Sequence, residues 1–157
     1  MKTLFLCLIT FMSIAAFAQF SVGGRAGSFD ASHVNWTFSI SKQDNKFVLD
    51  AVASLESGWH IFSSEPGGDG SLTATQIEVD QLASLKTPVA TKEGGNAIEK
   101  DMDGIGKVKY YENRATFKIV FSAPEDLVNF TGKIYFQVCN DIMCMAPTSK
   151  SFTVTLK

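Results

Sequence analysis

The sequence predicts an all-β domain, a sandwich of about seven to nine short antiparallel strands. Three observations carry this. Apolar and polar residues alternate with period two, the apolar positions favour β-branched and aromatic side chains, and no long segment carries a helical stripe.

The alternation opens with Val34, Trp36, Phe38 and Ile40, separated by the polar Asn35, Thr37 and Ser39. Phe47, Leu49 and Ala51 repeat it, and Ile77 and Val79 give a shorter run. Ala115, Phe117, Ile119 and Phe121 form the next set, then Ile134, Phe136 and Val138, and finally Phe152, Val154 and Leu156. Each set reads as a strand with one face buried. This many short strands in about 125 residues is the pattern of an immunoglobulin-like sandwich, without the Cys…Trp…Cys spacing of an antibody domain. Three stretches break the pattern. Ser21–Ser28 is glycine-rich and reads as a flexible lead-in, and Glu65–Ser71 as a glycine-rich loop. Lys92–Gly106 is expected to be a loop longer than most in a compact domain, a length that often marks function.

The amino terminus predicts export. Lys2 precedes an apolar run from Leu4 to Phe17, and Ala16-Phe17-Ala18 places small residues at the two positions a signal peptidase reads. The run is shorter than the ~20 residues a membrane-spanning helix needs. Residues 1–18 are therefore expected to be a cleaved signal peptide that removes Cys7, with 19–32 the lead-in and 33–157 the domain. Loss of Lys2 leaves 13 basic against 16 acidic residues. Such a balance offers no electrostatic case for nucleic acid or an anionic membrane. No later run predicts insertion into a bilayer, and no cofactor motif stands out.

Two cysteines remain, Cys139 and Cys144, either side of an Asn140-Asp141 turn in QVCNDIMCMAPT. In an oxidising compartment such a pair is able to form a disulfide. As a staple it is poorly placed, because closing a loop of about six residues stabilises by only ~2 kcal/mol. The placement favours chemistry over reinforcement. A binding module with a structural disulfide stays open as an alternative. So does a copper(I) carrier using Cys139, Cys144, Met143 and Met145, since thiolate and thioether suit that metal. Asp141 is expected to disfavour a thiolate, and no helix start is present to favour one. Pro147 limits closure of the surrounding hairpin, whose last strand begins near Lys150. In Gly58-Trp59-His60-Ile61-Phe62, Trp59 and Phe62 read as core residues. His60 reads as a base or ligand, or more ordinarily as a surface or hydrogen-bonded histidine.

The run from Gly132 through Cys139 and Cys144 to Pro147 and Thr148 resembles the cysteine segment of the N-terminal periplasmic domain of DsbD, the bacterial thiol:disulfide interchange protein. There, too, a strand leads into a cysteine, a short turn, a second cysteine, then Pro-Thr before the final strand. Gly58–Ser63 resembles that family's glycine-aromatic segment. Gly106 through Tyr111, Arg114 and Phe117 is similar to its central strands. The likeness spans roughly Val34 to Lys157.

The resemblance implies an immunoglobulin-like periplasmic domain whose dithiol carries electrons to thioredoxin-fold partners, including disulfide isomerases and thioredoxins of cytochrome c maturation. Carried onto this chain, Cys144 is the attacking thiol and Cys139 its internal partner. Trp59, His60, Phe62, Asp141, Met143 and Pro147 flank them. The family shields its pair with a cap loop bearing an aromatic. The corresponding Asp101–Gly106 has none, so Met102, Asp103 and Ile105 are expected to cap the pair. Ala146 stands where a second proline is common. The chain is expected to work as a separate polypeptide, with a membrane thiol reductase supplied in trans.

Overall fold

The computed structural model describes residues 33–82 and 91–157. The expected signal peptide, the lead-in and Cys7 lie outside the described residues. Nine strands are present among them: β1 (Val34–Gln43), β2 (Lys46–Leu55), β3 (His60–Gly67), β4 (Gln76–Val79), β5 (Thr91–Met102), β6 (Gly106–Phe121), β7 (Asn129–Phe136), β8 (Val138–Cys139) and β9 (Thr148–Thr155). A 3₁₀ turn at Asp80–Leu82 follows β4.

The strands form two antiparallel sheets, one of six strands and one of three. In the larger sheet β6 is the spine. Its first half pairs with β3 and its second half with β2, so β2 and β3 lie end to end along it, while β5 also pairs with both halves. Asn113, at φ 59°, sits where the partner changes from β3 to β2. β5 answers this kink with a register shift between Gly95 and Ala97. Gly95 has φ 124°, and a Cβ there would press on the Arg114 carbonyl. β1 and β2 are joined by Asp44-Asn45, both at positive φ. That backbone matches the twist of a two-residue hairpin, and Asp and Asn tolerate it. The smaller sheet runs β4-β7-β9.

The predicted alternation sets the core. Trp36, Ala51, Phe117, Ile134, Phe136 and Val138 form one buried cluster. Phe47, Leu49, Ile119, Phe121, Phe130, Phe152 and Val154 form a second. Both draw residues from the two sheets. A third cluster, Phe62, Val108, Tyr110 and Cys139, takes the alternate positions of β3, β6 and β8 and therefore faces away from the sandwich interior. Leu72, Ile98, Met102 and Ile105 pack against it.

Two expectations are corrected. Lys92–Gly106 is mostly strand rather than loop: Thr91–Met102 pairs with β6, and the reversal is confined to Asp103–Ile105. β5 is half-exposed and broken by the irregularity between Gly95 and Ala97, so it lacks the alternating apolar face that marks the other strands. The cysteines are likewise not on the β7–β9 hairpin itself. β7 ends at Phe136, opposite Thr148, and β8 pairs with β3 in the other sheet.

Glu93 ties β3, β5 and β6 together. Its carboxylate accepts hydrogen bonds from Ser63 Oγ (2.8 Å), the Ser64 backbone N–H, Lys109 Nζ (2.6 Å) and the Tyr111 hydroxyl (2.8 Å). Burial opposes its ionisation, but the Lys109 ammonium and the Ser64 and Ser63 donors outweigh that and hold its pKa at about 2, below an ordinary 4.5. A carboxyl depressed on folding stabilises fully above its unfolded pKa, and that contribution fades as the pH falls through the folded value. Glu93→Gln is therefore expected to lower stability at pH 7 by on the order of 3 kcal/mol. Urea titrations should show the gap to the parent narrowing between pH 4.5 and about 2. An unchanged midpoint at pH 7 would refute the role.

Candidate functional site

The site begins at Gln137, where the chain leaves one sheet for the other. Val138 and Cys139 pair with Ile61 and His60. Because neighbouring residues of a strand point to opposite faces, Val138 enters the sandwich core and Cys139 joins the outer cluster. The chain then reverses. Asn140 N–H donates to the Met143 carbonyl (2.9 Å), and Asn140 Oδ1 accepts from the N–H groups of Ile142 (2.9 Å) and Met143 (2.8 Å). An Asn side chain that bonds its own backbone two residues on is a turn-former by chemistry, as the sequence suggests. Below the turn, Met145 N–H donates to Val138 O and Gln137 Nε2 to Met145 O, each at 2.9 Å.

These bonds set Cys139 opposite Cys144 as a single antiparallel bridge, with Cα atoms 4.0 Å apart and the sulfurs joined in a disulfide. The two ends differ sharply in access. Cys139 is 1% exposed, whereas Cys144 is an exposed residue. Ile142, 92% exposed, and Met143, 52% exposed, stand beside Cys144 as bare apolar side chains.

A cleft of about 410 Å³ opens over the bond. His60, Phe62 and Tyr110 line it, with Asp141 from the turn and Met102, Asp103 and Ile105 from the tip of the β5–β6 hairpin. The tip reverses at Gly104 (φ 77°), closed by Ile105 N–H donating to Met102 O at 3.0 Å. The residues expected to cap the pair thus stand beside it, and Met102 and Ile105 pack on the cluster containing Cys139.

The other flanking residues divide. Phe62 is buried, as expected, but in the outer cluster. Trp59 is outside the cleft, packed on the main core and stacked on His33 at 3.7 Å. Met143 and Pro147 are exposed and do not line the cleft. His60 is 7% exposed, which corrects the surface reading, and its ring lies 4.5 Å from that of Tyr110. Burial lowers its pKa below the usual 6.5, partly offset by Glu112 and Asp141, with Lys100 adding to the lowering. Tyr110 and Leu72 are cleft residues that sequence reasoning did not single out. The available signal was Val108 and Tyr110 alternating on the face opposite Tyr111.

Among the described residues, no group of three or more His, Cys, Asp and Glu is placed to hold a metal ion. With the sulfurs bonded to each other, neither is free to serve as a thiolate ligand. A disulfide with one exposed cysteine is open to attack by a thiolate.

No curated protein sequence matches the chain. Among solved structures, the N-terminal periplasmic domain of ScsB from Proteus mirabilis is similar at TM-score 0.58 and 19% identity, covering 79% of this chain and 47% of that one. The chain therefore spans about half the length of that structure. The DsbD N-terminal domain of Neisseria meningitidis, in its reduced form, is similar at TM-score 0.52 and 12% identity, over 78% of this chain and 84% of that one. The same domain in a complex with the PilB N-terminal domain gives TM-score 0.50 and 13% identity, over 75% and 80%. At such identities the likeness speaks for the fold alone. The sequence itself goes further: the family described as "Thiol:disulfide interchange protein DsbD, N-terminal" matches residues 28–156, nearly the whole described domain and both cysteines, and to that family this chain belongs.

Proposed function

We propose that the domain is an exported, periplasmic thiol–disulfide electron carrier and that Cys139 and Cys144 are its redox pair. The supporting observation is the asymmetry of the pair: an exposed residue at Cys144, a buried one at Cys139, and a cleft lined by both. Exchange proceeds by attack of a thiolate on one sulfur of a disulfide, and access selects which sulfur. In the reduced domain, the Cys144 thiolate attacks a partner disulfide, forming a mixed disulfide and releasing one partner thiolate. Cys139 then attacks Sγ of Cys144, the internal bond forms, and the second partner thiolate leaves. Two electrons pass to the partner.

Thioredoxin-fold proteins are the proposed partners, with a membrane thiol reductase restoring the dithiol and cytochrome c maturation one destination of the electrons. Family membership supports this reading, as does the existence of a complex between the meningococcal DsbD N-terminal and PilB N-terminal domains. The exposed Ile142 and Met143 give a partner apolar surface beside the reacting sulfur. Met102, Asp103 and Ile105 shield the bond until that partner docks.

Three outcomes follow. Reduction should be reversible and leave the fold intact, because opening so small a loop removes only about 2 kcal/mol. Circular dichroism and thermal melts of oxidised and reduced protein measure this, and melting at room temperature on reduction would favour a structural staple. Cys139→Ser should trap a mixed disulfide with a thioredoxin-fold partner through Cys144, seen as a mass shift that a reductant reverses. Trapping only in Cys144→Ser, through Cys139, would reverse the assignment. Replacing Met102 and Ile105 with glycine should raise the rate of reduction by a small thiol several-fold, since access governs that rate. An unchanged rate in a folded variant would remove the cap.

A further inference from the structure

The mechanism above leaves His60 without a task, yet this residue is opposite Cys139 in the β3–β8 register. Directly paired residues of adjacent strands hold their Cβ atoms about 5 Å apart on the same face, within reach of a long side chain. Both residues are buried and both line the cleft. We propose that His60 is the proton acceptor for Cys139 when Cys139 closes the disulfide.

The need arises from burial. Only the thiolate attacks, and a thiol in apolar surroundings ionises reluctantly. Cys139 is 1% exposed and packs with Phe62, Val108 and Tyr110, so its thiol ionises reluctantly unless an acceptor for the proton stands close by. A base within the enclosure solves this if it is neutral before the step and tolerates charge after it. The same burial keeps His60 neutral at neutral pH. The charged and titratable groups around the ring are Glu112 and Tyr110 on β6, Lys100 and Asp101 on β5, Asp103 in the hairpin turn and Asp141 beside the cysteines. Glu112 and Asp141 both favour the imidazolium, and Lys100 opposes it.

The step balances. In the mixed disulfide, the Cys139 S–H gives its proton to a ring nitrogen of His60, and the thiolate electron pair attacks Sγ of Cys144. The bond from Cys144 to the partner sulfur breaks, and that sulfur leaves with the bonding pair. The imidazolium then passes its proton to the departing thiolate or to water. In the reverse direction, His60 returns a proton to Cys139 as it leaves.

This inference rests on the reading of Cys139 and Cys144 as a redox pair, and one experiment separates the two. Reduced protein is mixed with one equivalent of the aromatic disulfide dithionitrobenzoate in a stopped-flow instrument. The first thionitrobenzoate released reports attack by Cys144, and the second reports closure by Cys139. A paired thiol and imidazole close at a rate that stays level from roughly pH 6.5 to 8. A thiol that must ionise into water closes at a rate rising tenfold per pH unit. The parent protein is expected to show the level profile. In His60→Gln, the ratio of second-phase to first-phase rate at pH 7 should fall about tenfold or more, and the steep profile should appear. No second release from the parent would overturn the redox pair itself. A second release with a steep profile in the parent, or with an unchanged ratio in a folded His60→Gln, would overturn the role of His60 alone. Should the variant fail to fold, the profile of the parent decides.

Discussion

The change of sheet at Gln137 is the constraint on which the site depends. Phe136 still pairs with Thr148 in the small sheet, while Val138 pairs with Ile61 in the large one. A strand that crosses between layers keeps its alternation, so consecutive residues serve different purposes. Val138 fills the sandwich interior and Cys139 is delivered to the outer face beside His60. Had the chain continued along β7, Cys139 would have been an ordinary residue of a hairpin. The fold thus buries one sulfur by strand geometry and exposes the other by a turn.

The outer cluster and Glu93 make this arrangement stiff. The larger sheet carries apolar residues on both faces where β3, β6 and β8 meet, and the β5–β6 hairpin tip covers the outer one. Glu93, on β5, fastens that strand to β3 and β6 through donors on both. A buried carboxylate is tolerable only when its oxygens are well supplied with donors, and here an ammonium is among them. The hairpin tip is therefore held by the ladder up to Met102 opposite Gly106, and its freedom is limited to the turn. A cap of this kind differs from a long flexible lid.

Much of this was legible in sequence, for physical reasons that also explain the omissions. Period-two runs such as Val34–Ile40 and Ala115–Phe121 state both the strand and its buried face. The Asn140 turn and the cysteine spacing located the site. β5 was illegible because an edge strand with Gly94, Gly95 and charged residues has no one-sided apolar pattern. Its strand character comes from the partner it pairs with, an instance of context overriding propensity. His60 was underestimated for a related reason. Its place beside Cys139 comes from pairing with a residue 79 positions later, and no local pattern encodes a register between distant strands. Trp59 and Phe62 both read as core; strand parity puts Phe62 in the outer cluster, whereas Trp59, just before β3, packs partly buried against the main one.

A domain that alternates between disulfide and dithiol must not depend on the bond for its shape. Here the turn carries its own support: the Asn140 side chain bonds two backbone N–H groups, and Gln137 and Val138 both bond Met145. None of these bonds involves a sulfur. On the proposed function, these bonds would hold the two thiols facing each other after reduction and so favour reclosure. The same economy explains why a short loop suits the task. A bond closing a long loop would stabilise by more than twice as much, near ~4.7 kcal/mol for about 100 residues, and each reduction would then tax the fold. With about six residues enclosed, the bond adds little to the stability of the fold, as the proposed carrier role requires of a pair that is to open and close on one scaffold.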